Sequence, residues 1–190
     1  LEDDVNQVLD LIKTRPQIVN LMATIALEHY TAMMAAVMLK DPKMYEGAEP
    51  EWGALWKWHA IEEIEHKGVA YDTWLHATKG WSRWRRWKAK SLMMLIVTTR
   101  FWPRRVMGMK ALLKQDGLTG WRVTARIWWY LLGSPGILRR SFLPWLAYFV
   151  PGFHPWNHDD RALIGKYESD YADAVMPSHA SGPELVAATA

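Results

Sequence analysis

The sequence predicts an all-α fold, and three observations carry the prediction. Two long stripes of residues recur at helical spacing: Leu21, Ile25, Glu28, Ala32, Ala35, Leu39, and then Trp52, Trp56, His59, Glu63, His66, Ala70, Thr73, Ala77. Steps of three and four residues return to one face of an α-helix. No segment alternates apolar and polar residues as a half-buried strand does, and no glycine-rich phosphate loop or internal repeat occurs. Proline and glycine fall where the helical patterns stop.

The elements follow in order. A short helix is expected over Asp3–Lys13, closed by Pro16. The next runs from about Pro16 to Lys40 and stops at Asp41-Pro42, because the residue before proline is pushed out of the helical region. Residues 41–50 form a loop. Pro50 suits a first helical turn, where its missing N–H costs nothing. It opens a long helix to about Thr78, stopped by Gly80. A basic helix covers about 81–101 and breaks at Pro103. Another covers 103–115, and another 119–132 up to Gly133-Ser134-Pro135-Gly136. A shorter one covers 137–149, ended by Pro151. Asn157 with Asp160 three residues on resembles an acidic capping box and opens a last helix to about Val175. The small, polar tail from Pro177 is expected to be disordered.

A chain of 190 residues, half of them apolar, suits a single core of ordinary size. Within it the sequence divides into 1–78, 79–150, 151–176 and 177–190. There is no cysteine. That excludes disulfides and thiolate metal sites and fits a reducing, cytoplasmic setting. The first residues show no signal-peptide pattern. The overall charge of +3 hides an asymmetry: the net is −7 over residues 1–78, +14 over 79–140 and −4 over 141–190. An acidic front is followed by a basic, tryptophan-rich middle, which points to an anionic partner for that middle.

The front holds the candidate site. Trp56-Lys57-Trp58-His59-Ala60-Ile61-Glu62-Glu63-Ile64-Glu65-His66-Lys67 packs two histidines and three glutamates into eight residues. At 100° per residue, His59, Glu63 and His66 lie within about 60° of one another, with Glu62 beside them. Glu28 is the only charge on the other stripe and is followed by small residues. Bare titratable groups on a core-facing stripe would be costly, and metal ligation removes most of that cost. The candidate ligands are therefore Glu28, His59, Glu62, Glu63 and His66. Glu65, about 100° from His66, is peripheral, and His29, one residue from Glu28, faces elsewhere. The alternative is a helix pair holding buried ion pairs.

In the basic middle, Arg83, Arg85, Arg86, Lys88, Lys90, Arg100, Arg104 and Arg105 interleave with Trp81, Trp84, Trp87, Phe101 and Trp102. The apolar run Leu92–Val97 is far shorter than the roughly 20 residues that span a bilayer. Such a segment suits the headgroup region of an anionic membrane, here the inner face. Nucleic acid is not expected, since no motif for it is present. The stretch Phe153–Asp160 holds two histidines and two aspartates, but Pro155 breaks any regular ligand spacing, so it reads as a turn.

Ala26-Leu27-Glu28-His29-Tyr30-Thr31-Ala32, the motif from Trp56 to Asp72 and Phe153-His154-Pro155-Trp156 together resemble the bacterial family of predicted metal-dependent hydrolases. The resemblance spans most of the chain up to about residue 176. That family is in turn similar to ferritin-like di-iron carboxylate bundles, where two helices each give a Glu and two others each give Glu-x-x-His. The resemblance implies that Glu63-Ile64-Glu65-His66 is one such motif and Glu28 the lone Glu of its partner helix. His59 is similar to the extra histidine of arylamine N-oxygenases. The implied fold is a partial ferritin-like bundle followed by amphipathic helices. The chain departs from the family in having no second helix pair with the other half of the ligands. Either that half lies upstream, or two copies complete the site, or the site is degenerate; the first is the expectation. The implied cofactor is iron, two ions in a complete site, with Mn or Zn as the alternative. The implied chemistry is O₂-dependent oxidation of a small hydrophobic molecule. The alternatives are metal-dependent hydrolysis, as the family description has it, and a helical module without catalysis.

Overall fold

A computed structural model describes residues 6, 7, 10 and 12–167, and among these it is mostly helical with no strand. The described residues of the first predicted segment (6, 7, 10, 12 and 13) are helical, and the predicted tail lies outside the described residues. Helix α1, Gln17–Lys40, ends at Asp41 as the Asp41-Pro42 pair requires. The Asp41 side chain then accepts from the Lys43 N–H and starts a 3-10 turn, Pro42–Tyr45. Helix α2, Pro50–His66, begins on the predicted proline.

The chain does not continue as one helix to Thr78. It breaks at Lys67-Gly68 and restarts as α3, Val69–Ala77. The cause is the C-terminal turn, which pushes Trp156 against this point. A Cβ on Gly68 would lie 2.5 Å from the Trp156 indole nitrogen. That indole is sandwiched between Lys67 and Arg161, whose charged groups lie 4.3 and 4.7 Å from the ring. Swinging aside would give up both contacts. Gly68→Ala is therefore expected to destabilise the fold by about 1–3 kcal/mol, as overpacking does. Thermal unfolding of the two proteins checks this; an unchanged midpoint would mean that Trp156 yields freely.

The predicted break at Pro103 is also absent: α4 runs unbroken over Arg83–Gln115 with Pro103 inside it. Pro103 and Thr99, the residue whose carbonyl loses its partner, both face solvent. A carbonyl on that side is open to solvent, so the lost helical bond costs little and the helix persists. Helix α5, Trp121–Trp128, is followed by a π-turn over Trp129–Gly133 instead of continuing regularly to 132. Helix α6, Ile137–Ala147, is two residues shorter than expected. Asn157 closes a 3-10 turn, Pro155–Asn157, and the last helix starts only at residue 161. There Asp159 caps the Arg161 N–H, so Asn157 has no capping role.

Helix α1 is the axis, packed against α2, α3, α4 and α6. By length and composition it is the one described helix that could cross a membrane, but half of its most apolar stretch is buried among these neighbours. One core cluster joins Ile25, Tyr30 and Met33 to Trp74, Met94, Tyr148 and Phe153. A second joins Ala35, Ala36 and Leu39 to Ala60, Ile61 and Ile64. The predicted α1 stripe is thus the packed one.

The α2 stripe is not the one predicted. Trp52, Trp56, His59 and His66 face outward. The buried residues are Ala60, Ile61, Ile64, Lys67, Gly68, Tyr71, Trp74 and Thr78, about 100° round the helix. This second stripe carries a lysine, Lys67, in its middle.

Candidate functional site

The five candidate ligands sit along the open side of the α1–α2 pair. Glu28 is half-buried on α1. Burial holds its carboxyl above the usual carboxylate range; nearby Glu63 adds to this and His66 opposes it. Glu63 and His66 of α2 thus lie within electrostatic reach of Glu28. On α2 itself, His59 Nε2 stands 3.4 Å from Glu63 Oε1, and His66 Nε2 stands 3.7 Å from Glu62 Oε2. These separations are long for hydrogen bonds. Glu63 is the most covered of the four, and His66 the most open. Glu65 is exposed, away from the group. The stripe was expected to face the core; its residues instead line a half-open surface, because the buried face of α2 is the neighbouring one.

The chemistry of this donor set fits a divalent cation. Burial and the neighbouring Glu63 charge disfavour ionised Glu28, while His66 favours it; a cation bound there would offset the repulsion and the desolvation cost. The set is nonetheless open. Among the described residues, no three or more acidic or imidazole side chains converge closely enough to hold a metal ion.

A second constellation lies behind the first and was not foreseen. His29, one residue after Glu28, is buried against Tyr148 and Phe153, with ring centroids 5.0 and 5.1 Å away. Its Nε2 lies 3.1 Å from the Pro144 carbonyl, which only accepts, so Nε2 carries the proton. Burial pulls this histidine down to about 4, so it is neutral at physiological pH. Lys67, one residue after His66, is 3% exposed and donates to the His158 carbonyl at 2.6 Å and to Asp160 at 3.0 Å. Asp160 also meets Lys40 at 3.2 Å. So the C-terminal turn clamps α1 to the α2–α3 break. His154 meets Asp72 at 2.9 Å and caps the Trp156 N–H, which gives the Phe153–Asp160 stretch a structural role. The one signal available was Lys67 itself, a lysine in step with Ile61, Ile64, Tyr71 and Trp74.

The basic middle is less uniform than its sequence. Trp84 stacks on Trp87 at 4.5 Å, and Arg85 lies 4.1 Å over Trp81. Trp87 donates to the Phe149 carbonyl. Lys90 is not a surface cation: it is 3% exposed, donates to the Tyr148 carbonyl, and lies 4.4 Å from the Tyr148 ring. Burial lowers its amine to about 8. The other seven cations of residues 81–105 are not in the core, and Trp84, Leu92, Leu95 and Ile96 are exposed among them.

Compared with known proteins, the chain matches the family described as "Predicted metal-dependent hydrolase" over residues 1–159. No curated protein and no solved structure matches it.

Proposed function

The chain belongs to the family of predicted metal-dependent hydrolases, and from that premise we propose that it serves metal-dependent hydrolysis at the Glu28–Glu63–His66 face of α1 and α2. The observation that supports this best is the raised carboxyl of Glu28, half-buried beside Glu63 and His66. Glu28, Glu63 and His66 would hold the ion, with His59 as a further donor. When bound, a divalent cation supplies Lewis-acid polarisation of the scissile carbonyl or phosphoryl oxygen. With a metal bound, Glu62, now 3.7 Å from His66 Nε2, would take that ring N–H and fix the tautomer. Glu63, 3.4 Å from His59 Nε2, would orient His59 in the same way. The half-open face leaves room for water and substrate on the solvent side.

The test is metal content after purification without chelators, followed by turnover of ester, amide and phosphoester probes under anaerobic conditions with Zn or Mn. Anaerobic turnover that tracks metal content is expected. Its absence across these probes would overturn the reading.

One observation favours a second reading, O₂-dependent oxidation of a small hydrophobic molecule at a di-iron site. Glu63-x-x-His66 opposite Glu28 is half of a dinuclear carboxylate set. The other half would come from an upstream segment or a second copy. Oxygen uptake on adding Fe(II) to the reduced protein would favour it over hydrolysis.

The exposed apolar and cationic residues of the 81–105 segment further suggest contact with an anionic membrane. Each cation contributes about 1 kcal/mol near such a surface. Flotation with vesicles rich in phosphatidylserine should therefore exceed flotation with neutral vesicles and fall with salt. Equal binding to both would argue against the contact.

A further inference from the structure

Beside the proposed metal face, about 100° round α1 on the side of His29, lies a cavity of about 390 Å³. Its walls are of two kinds. Ala32, Met33, Ala36 and Val37 of α1 face Ala147 and Phe153 across an apolar part. Lys40, Lys67, Arg140, His158 and Asp160 form a polar part. There the charges do not cancel. Asp160 is shared between Lys40 and Lys67, at 3.2 and 3.0 Å. Among the described residues, Asp41, 2.7 Å from Arg140, is the one other acid paired with these cations. Three cations thus meet two carboxylates, leaving one positive charge in excess. Lys67 and Asp160 are almost wholly buried, whereas Lys40 and Arg140 are half-exposed. A buried ion pair is a poor way to add stability, because desolvation offsets most of its attraction. At the wall of a cavity it has a second use: it presents fixed charge to an occupant without the cost of assembling it at the moment of binding.

We propose that this cavity is a binding site for a small amphiphile with a single anionic head, a medium-chain carboxylate in chemical class. The hydrocarbon body occupies the small-residue side of α1 between Met33 and Phe153. The carboxylate meets Lys40 and Arg140, whose half-exposed side chains can turn toward a ligand while Asp160 keeps Lys67 and Asp41 keeps the Lys43 N–H. One excess charge suits a monoanion. The size agrees: at ~30 Å³ for each water-sized group, the cavity takes roughly a dozen non-hydrogen atoms, about the size of decanoate. The volume also falls within the usual range of ligand pockets. The site uses none of the five proposed metal ligands, so it stands or fails independently of the hydrolytic reading.

The test is isothermal titration of the whole protein with decanoate, 1-decanol and decyltrimethylammonium, each below its micellar concentration. Decanoate should bind, decanol at least roughly tenfold more weakly for want of charged hydrogen bonds, and the cationic amphiphile weakest of all. Lys40→Met and Arg140→Met, both at half-exposed positions, should each weaken decanoate several-fold and leave decanol unchanged. Ala36→Phe, which fills the apolar part, should weaken both. Equal affinity for decanoate and decanol, or no decanoate binding, would overturn the proposal. So would decanoate binding that survives Ala36→Phe in a variant with unchanged circular dichroism, because the ligand would then be held on the exposed apolar surface. The metal content of the Lys40 and Arg140 variants should stay at the parent's value.

Discussion

Replacing Asp160 with alanine should cost the fold about 3–5 kcal/mol, the range for removing one partner of a buried ion pair. In a domain of this size that lowers the unfolding midpoint by on the order of 10 °C. The reason is the position of Lys67. Its ammonium is 3% exposed and has two named partners, Asp160 and the His158 carbonyl. Without Asp160 it keeps a neutral acceptor and no counter-charge. Lys67→Met alone should cost less, since Asp160 still meets Lys40. The double variant Lys67→Met/Asp160→Ala should recover most of the loss, because a thioether suits that site better than an unpaired charge. The coupling energy from this four-protein cycle is the measurement. Simple additivity would show that water reaches Lys67 and that the clamp is not dry.

Glu28→Gln should have opposite effects on stability and on metal. The folded protein holds the Glu28 carboxyl above its ordinary value, through burial first and Glu63 second. A group raised in this way favours folding while protonated. That contribution is full below the unfolded value and is lost as the pH rises through the folded one, so at neutral pH the ionised Glu28 works against the fold. Glutamine removes the charge and keeps the shape. The variant without metal should therefore melt higher than the parent at pH 7, and the difference should vanish in acid. Its metal content should fall by roughly tenfold or more, since even supporting residues of metal sites cost 10–100-fold. A variant that melts higher but retains its metal would show that Glu28 is strained for some reason other than ligation.

These two sites show what the sequence could and could not convey. The helical class, the α1 boundaries and the start of α2 at Pro50 were legible because proline, glycine and local spacing decide them within a few residues. The packed face of α1 was legible too, since Ile25, Ala32, Ala35 and Leu39 are apolar in step. The face of α2 was not. Two stripes compete there, and the hidden one contains Lys67, whose charge is neutralised by Asp160, 93 residues away. Local pattern carries no trace of such a partner. The break at Gly68 depends on Trp156 in the same way. Pro103 misled for the reverse reason: its cost depends on which side faces water, and that is settled by tertiary packing. Of the candidate site, the spacing brought out which residues share a face but not that the face is half-open. The cavity beside α1 was invisible, because its walls come from α1, α6 and the C-terminal turn.

Glu28 and His29 are joined by one peptide bond, yet the acid belongs to the solvent-side cluster and the imidazole to the closed one behind it. Helix α1 therefore acts as a dividing wall, and reading frame along it decides which chemistry goes to which room. A single-residue insertion just before Glu28 would turn everything upstream of it by about 100° relative to the rest. Such a shift would set the core residues Ile25 and Ala26 out of step with Tyr30 and Met33. The wall is gripped from four sides, so it resists rotation. The two rooms also adjoin at His66-Lys67, where α2 ends, so α1 and the end of α2 are the shared walls between them.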